Sequence, residues 1–326
     1  MTTQQIEYVL TLAEEKSFSK AAQKLYVTQP SLSQFIKNLE NELRVQLFDR
    51  STNPIRLTPA GEAFVNAARK IKAIEEELHI KLADLTNLKT GELRIGTSPF
   101  RASCLLPKSI AKFHELYPGI SIHILEEVTV KLEEAAMDGS IDLFLSTGPF
   151  DENIFHVEEL AVEQLFLAVP PDNPINKGLE SYHISNYDIK MASVKYHKTP
   201  PVDLSVFRSA PFIFVKQNQK LYDIASEFCL SAGFNPYVIL CSERLETAFS
   251  WALAGIGCTF VPDFLIRFGN YEKHPIYYKL NHPKATRNIC IVYRKNRYLS
   301  RVALEYISLL KKLIGYGTWS YPVPLN

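Results

Sequence analysis

In "QQIEYVLTLAEE", Ile6, Val9, Leu10 and Ala13 follow the i, i+3, i+4, i+7 spacing of an amphipathic helix. A shorter helix is predicted in "SFSKAAQKLY", with Ser17 or Ser19 as its N-cap and the small Ala21 and Ala22 permitting close packing. A third begins in "TQPSLSQFIKNLENELRVQLFDR". Thr28 is a good N-cap there, and Pro30 falls in the first turn, where a missing N–H costs little. Leu32, Phe35, Ile36, Leu39 and Leu43 gather on one face of this helix. Pro30, Gln34, Lys37 and Asn41 lie opposite, flanked by Ser31 and Ser33, with Glu40 and Glu42 to the sides. "RSTNPIRLT" then turns around Asn53 and Pro54 and predicts a short hairpin, or wing, bracketed by Arg50 and Arg56.

From Pro59 to about Leu88 there is no internal proline. Phe64, Ile71, Leu78 and Leu85 recur every seven residues, and Ala67, Ile74, Lys81 and Leu88 fill the second heptad position, with Lys81 the polar exception. This predicts a rod of roughly 45 Å with a coiled-coil seam. A long helix packed on its own domain would carry a similar stripe. Beyond Gly91 the rhythm changes. "LRIGT", "ISIHILEE" and "IDLFLST" predict strands separated by helices in "LLPKSIAKFHELYPG" and "VKLEEAAMDG". A second set comprises "EQLFLAVP", "PFIFV", a helix near 219–231, "YVILCS", the helix "ERLETAFSWALAG" and "GCTFVP". "PIYYKL", "ICIVYRK" and a last helix over about 300–314 close the chain's ordered pattern. Alternating strands and helices imply an α/β architecture with a parallel sheet.

The polar front of the third helix suits a major groove. Glutamine pairs bidentately with adenine, serine bonds either kind of base edge, and lysine reaches guanine or phosphate. A short helix, a tight turn and a longer helix with this front form a helix-turn-helix pattern. A structural helix pair with a solvated polar face fits the same spacing equally well. The base-reading candidates are Gln29, Pro30, Ser33, Gln34 and Lys37, and Thr28, Arg50, Arg56 and Thr58 are placed to hold phosphates. Residues 1–60 carry seven basic against six acidic side chains, a net of +1, so one copy holds DNA weakly and several copies on one site are implied.

The rest of the composition mainly excludes. The chain has 326 residues, 46% hydrophobic and 22% charged, with net charge +1, so no global field draws it to nucleic acid or membrane. The first Lys or Arg is Lys16, which is unlike a secretory leader, and no apolar run spans a bilayer. A cytoplasmic location is expected. Five cysteines without a Cys-x-x-Cys pair, and eight histidines without ligand spacing, suggest neither a disulfide framework nor a metal site. No phosphate loop, nucleophile elbow or zinc-protease motif is present, so no enzyme activity and no cofactor is expected.

"SFSKAAQKLYVTQPSLSQFIKNLENELRVQLFDR", followed by "LTPAG", resembles the DNA-binding segment of LysR-type transcriptional regulators. "LLP", "FHELYPG", "DGSIDLFL", "SAGFNP" and "LAGIGCTFVP" extend the resemblance over nearly the whole chain. Two residues depart from the pattern: Arg44 stands where the family usually has glycine, and Asn53 where the wing often has a basic residue. The resemblance implies a winged helix-turn-helix over 1–58, a dimerisation helix over 59–90 and an effector-binding domain over 91–326. That domain is expected to be two-lobed and periplasmic-binding-protein-like (type 2), with lobe I at about 91–161 and 269–314 and lobe II at about 162–268. It further implies a homodimer joined through Phe64, Ile71, Ile74, Leu78 and Leu85, assembly as a dimer of dimers on an interrupted palindromic operator, and contact with RNA polymerase.

Ligands of open α/β sheets bind beyond the carboxyl ends of the strands. Ser98, Thr129, Thr147 and Gln217 lie in such loops and offer neutral hydrogen-bonding groups for a small-molecule effector. Arg101, Lys131 and Lys216 offer charge for an anionic one. Taken singly, each is as well explained as a loop cap. Two other readings stay open. Cys104 lies near a helix start, where a thiol is acidified, as in a redox sensor. The two-lobed fold also serves solute-binding proteins.

Overall fold

The computed structural model describes residues 1–84, 90–269 and 271–314. The chain divides into two compact units, Met1–Leu82 and Ala83–Asn326. In the first, α1 (Thr3–Glu15), α2 (Phe18–Lys24) and α3 (Gln29–Leu43) are followed by β1 (Phe48–Asp49), β2 (Arg56–Leu57) and the long α4 (Pro59–Asp84). Thr2, Ser17 and Thr28 cap the first three helices through their side chains. β1 and β2 pair antiparallel as the expected wing, with Asp49 opposite Arg56. Ile6, Val9, Leu12, Ala21, Leu32, Ile36 and Leu39 form one core with Phe48, Val65 and Ala68. Leu43, expected on the apolar face of α3, is exposed, because the helix ends there and the chain turns away at Arg44.

Arg44 adopts a left-handed backbone, φ 57°, and its N–H donates to Asn41 O while Val45 N–H donates to Glu40 O. This is the helix-ending geometry that glycine enters without strain, so the arginine costs roughly 1–2 kcal/mol of backbone energy. At Gly61 the reason for glycine is contact: a Cβ there would lie 2.0 Å from Leu47 O. The side chain of Glu40, placed off to the side by helical spacing, is buried. It accepts from the N–H groups of Leu47 (2.8 Å) and Phe48 (3.1 Å) and pairs with Arg50 (2.8 Å), tying the wing to α3.

The second unit begins with β3 (Gly91–Thr97), α5 (Pro99–Cys104), α6 (Leu106–Leu116), β4 (Ile120–Glu126), α7 (Thr129–Asp138) and β5 (Leu143–Thr147). The 15-residue β6 (Phe155–Val169) leads into α8 (Asn186–Met191), α9 (Val194–Lys198), β7 (Pro211–Val215), α10 (Lys220–Ser231) and β8 (Tyr237–Ser242). α11 (Leu245–Leu253), β9 (Thr259–Pro262), α12 (Asp263–Phe268), β10 (Ile276–Lys279), β11 (Thr286–Arg294) and α13 (Arg301–Ile314) complete it.

The sheet is mixed, not parallel as the strand–helix rhythm implied. β3 pairs parallel with β4 and β5, and β7 with β8, but β11 runs antiparallel to both β5 and β6. The cause is β6, which passes through both lobes. Its residues 155–164 pair with β11, and residues 165–169 pair antiparallel with β9 and β10. In that second half both faces are covered: Leu165, Leu167 and Val169 pack on one side and Phe166 and Ala168 on the other. β10 thus belongs with lobe II, where Tyr278 and Leu280 share a core with Phe212, Phe228 and Phe260. β11, which begins at Thr286, pairs with β5 and with the first part of β6. A single apolar cluster runs from Leu93 and Ile95 to Val261, Phe264 and Tyr277, so the lobes share packed core on one side.

Replacing Glu40 with alanine leaves two buried N–H groups without an acceptor, at roughly 1–3 kcal/mol each. The expected outcome is a lower melting midpoint and faster amide exchange at Leu47 and Phe48. Unchanged exchange at both amides contradicts the role given to Glu40.

Candidate functional site

The front of α3 is presented as the pattern implied. Thr28, Gln29, Pro30, Gln34 and Lys37 are exposed and Ser33 is half-buried. Thr28 Oγ1 accepts from the N–H of Ser31 (3.3 Å), so this threonine orders the helix start. Gln34 Nε2 donates to Asn38 Oδ1 (2.8 Å), which holds its amide along the helix surface. The four phosphate candidates are not equivalent. Arg56 is exposed on β2. Arg50 pairs with Glu40 and lies over the Phe18 ring at 5.2 Å. Thr58 Oγ1 donates to Gln46 O and accepts from Gly61 N–H, so it caps α4.

Along α4, Val65 and Ala68 are buried in the helical core, and Phe64 packs partly against it. Ile71, Ile74, Leu78 and Leu82 are exposed, Ile74 at 68% and Leu78 at 56%. Lys81, the polar seam position, pairs with Glu77 at 2.6 Å. Leu85 and Leu88 lie outside the described residues.

In the second unit, four of the five effector candidates line one cavity of about 190 Å³: Ser98, Arg101, Thr129 and Thr147. Ser98 precedes α5, Thr129 opens α7 and Thr147 ends β5, so three strand-to-helix or strand-to-loop junctions converge. Thr129 Oγ1 and Ser146 Oγ lie 2.8 Å apart, and Arg101 Nη1 donates to Ser98 Oγ (3.3 Å). Gln217 is not in the lining. It is exposed and donates to Tyr222 OH (3.2 Å), because α10 starts three residues later and brings Asn218, Gln219 and Lys220 to the cavity instead. Lys131 and Lys216 also stay outside, paired with Glu134 and Glu243.

Sequence spacing missed Lys220, Ser146 and Arg287, all in the lining. Lys220 carried a signal: a cation in the first turn of a helix opposes the helix dipole and needs a reason. Arg287 sits opposite Glu163 across the β6–β11 ladder. Glu163 is fully buried and bonded by Arg101 Nη2 (3.1 and 3.2 Å) and Arg287 Nε. Burial opposes its ionisation, but the guanidiniums of Arg287 and Arg101 outweigh that, so its carboxyl lies below the usual range. Lys220 Nζ, from lobe II, donates to the carbonyls of Thr147 (2.7 Å) and Gly148 (3.5 Å) in lobe I.

Cys104 is not an acidified thiol. It ends α5 two residues before α6 begins at Leu106, so it does lie near a helix start, but burial pushes its thiol up to about 12, against the smaller opposing pull of Arg101. All five cysteines are free, and Cys241 is exposed. No group of three or more metal-ligating side chains occurs among the described residues. No helix among them is long and apolar enough to cross a membrane.

A winged helix-turn-helix and a two-lobed domain whose cavity combines an apolar lining with a few charged and hydroxyl side chains define a DNA-binding regulator with an effector-binding domain. Residues 3–62 match the bacterial regulatory helix-turn-helix protein family of lysR type, and residues 86–314 match the LysR substrate binding domain. The chain belongs to the LysR family of transcriptional regulators. It is 30% identical over 314 residues to the uncharacterized HTH-type transcriptional regulator YwbI of Bacillus subtilis (strain 168), spanning 96% of this chain and 97% of that protein. AlsR, an HTH-type transcriptional regulator of the same organism, is 29% identical over 91% of this chain and 92% of its own. A full-length OxyR variant from Pseudomonas aeruginosa superposes with a TM-score of 0.64 at 25% identity, over 96% of this chain and 94% of that one. Full-length CbnR in complex with its target DNA gives 0.62 at 19% identity over 96% and 99%, a likeness of fold.

Alkylation at mildly alkaline pH is expected to modify Cys241 and spare Cys104, read by peptide mass spectrometry. Labelling of Cys104 ahead of Cys241 overturns the assignment of an inert thiol.

Proposed function

We propose that this regulator reads an interrupted palindromic operator with the tips of paired α3 helices and that a small molecule in the cavity between its lobes changes that binding. The observation that carries the first part is the exposed amide- and hydroxyl-bearing start of α3, with Gln29, Pro30, Ser33, Gln34 and Lys37 as base readers. Arg56 is the freest phosphate contact, while Thr28, Arg50 and Thr58 act mainly by fixing the helix, the wing and the start of α4. Pairing through Ile71, Ile74 and Leu78, continuing to Leu85, is supported by the apolar stripe exposed on α4. Fully covering each such side chain contributes roughly 1.5–3 kcal/mol. Two DNA modules on one operator also compensate for the weak charge of a single copy.

The effector reading rests on the convergence of Ser98, Arg101, Thr129 and Thr147 on one cavity that both lobes line. A ligand that prefers one lobe arrangement biases the spacing of the DNA modules, with a coupling on the order of 1–3 kcal/mol. Assembly as a dimer of dimers, contact with RNA polymerase and action in the cytoplasm complete the proposal, as does the absence of catalysis.

Gln34→Ala is expected to lose about 1–3 kcal/mol of discrimination between the operator and base-substituted duplexes, measured by fluorescence anisotropy. Arg56→Ala weakens binding to all duplexes alike and flattens the salt dependence. Unchanged operator preference in Gln34→Ala means that the reading face lies elsewhere. For assembly, the double variant Ile74→Glu, Leu78→Glu is expected to sediment as a monomer and bind the operator poorly. A dimer that survives both changes refutes the seam.

A further inference from the structure

The inner wall of the cavity holds more positive charge than the protein neutralises. Arg101 and Arg287 share the single carboxylate of Glu163. Buried Arg101 keeps its Nε without any acceptor. Lys220 forms no ion pair among the described residues: its ammonium meets the carbonyls of Thr147 and Gly148 and the Phe150 ring at 4.9 Å. An ammonium has three N–H donors, and the structure fills two, one of them at 3.5 Å. Burial pulls the Lys220 pKa below the ordinary lysine value. Glu133 opposes that shift without bonding to it.

The helix ends agree with the charges. α7 and α10 begin in the cavity lining with Val128 and Gln219 at their N-caps, and neither side chain caps its helix. Thr2, Ser17, Thr28, Ser185 and Ser193 cap α1, α2, α3, α8 and α9, whereas α5, α6, α11 and α12 are also without a side-chain cap, and the uncapped start of α5 at Ser98 lies in the same lining. The N–H groups that an acid or hydroxyl usually satisfies are left for something else. The opposite sign lies at the rim, where Glu126, Glu127 and Glu243 are exposed. The volume, about 190 Å³, is below the roughly 300–1,000 Å³ of sites for drug-sized ligands.

We propose that the cavity takes a small ligand with one carboxylate seated against Lys220 and the start of α10, and an uncharged or cationic remainder directed to the glutamate rim. The proposal rests on the reading of this cavity as the effector site and names its ligand class. The ligand carboxylate supplies the third acceptor of an ammonium that already joins lobe II to lobe I. Dianions are disfavoured because their second charge meets Glu126 and Glu127.

Four probes of one length test this by thermal shift and calorimetry on the full chain: hexanoate, hexanedioate, aminohexanoate with its amine at the far end, and hexanamide. Hexanoate and aminohexanoate are expected to bind, hexanedioate more weakly than either, and hexanamide not measurably. Lys220→Met is expected to weaken hexanoate on the order of ten- to a hundredfold. Lys220→Arg retains binding, and both variants melt cooperatively without ligand. Equal binding of hexanamide and hexanoate, or full binding by Lys220→Met, overturns the ligand class while leaving the cavity as the effector site. Failure of every straight-chain monocarboxylate from acetate to octanoate to bind also overturns the class. If hexanoate binds but Ser98→Ala and Thr129→Ala leave its affinity untouched, the cavity itself is the wrong location and the effector reading fails with it.

Discussion

Glu163 is the constraint on which the effector-binding unit depends. It lies on β6 where that strand stops pairing with β11 and starts pairing with β9 and β10, the point at which one lobe becomes the other. A carboxylate in that position is fully desolvated and tolerable only if cations reach it. Arg287 reaches it from the facing strand and Arg101 from α5, and both of those side chains also line the cavity. The group that makes the crossing stable therefore also fixes the positive wall of the binding site. Asp263 and Arg267 repeat the device next to it: Asp263 accepts from the Gln164 N–H at 3.1 Å and pairs with Arg267 at 3.1 Å. Asp263 is only 4% exposed, and this burial pushes its carboxyl up to about 6, against the pull of Arg267.

The DNA-binding unit uses the same solution on a smaller scale. Glu40 is buried at the end of α3 and collects two N–H groups of the wing together with Arg50. The outward face of the helix start is thereby free of structural duties. Gln29, Pro30 and Lys37 hold nothing in place, and the work of fixing the helix falls to Thr28, Glu40 and the left-handed Arg44. Separation of ordering residues from presenting residues lets one helix carry different readers without loss of fold.

Periodicity revealed most elements because most bury one face. α3 and α13 show their apolar spacing directly, β3, β5 and β7 show instead as short apolar runs buried along most of their length, and the wing follows from the Asn53–Pro54 turn. It failed where that pattern is broken or too short. The second half of β6 was read as the strand "EQLFLAVP", but residues 155–162 were not, because His156, Glu158 and Glu159 and a register shift opposite Ile289 and Cys290 break their alternation, so neither the strand's length nor its antiparallel partners were legible. α5, α8, α9 and α12 are only five or six residues long, too short to build a stripe. At the cavity, loop position located Ser98, Thr129 and Thr147 because strand ends converge in any such sheet. It misplaced the lobe II contribution by three residues, from Gln217 to Lys220: the helix was expected near 219–231, but the reading took the contribution from the loop before it and not from its first residue. Arg287 was hidden inside a strand, and only its cross-strand partner Glu163 gives it meaning.

The two lobes are joined unevenly, and this decides where a ligand can act. On one side the apolar cluster from Leu93 to Tyr277 is continuous. Separating it would expose many buried side chains at roughly 1.5–3 kcal/mol each, far more than a small ligand supplies. At the cavity polar links join the apolar ones: Lys220 bonds the carbonyls of Thr147 and Gly148, and nearby Ser103 bonds Glu246 at 3.0 Å. Each such bond contributes only about 0.5–1.5 kcal/mol net, or up to about 3 where one partner is charged. A ligand that engages Lys220 works on energies comparable with its own. The packed side is therefore the stiffer of the two, and the cavity side is where a bound ligand competes with links of its own strength.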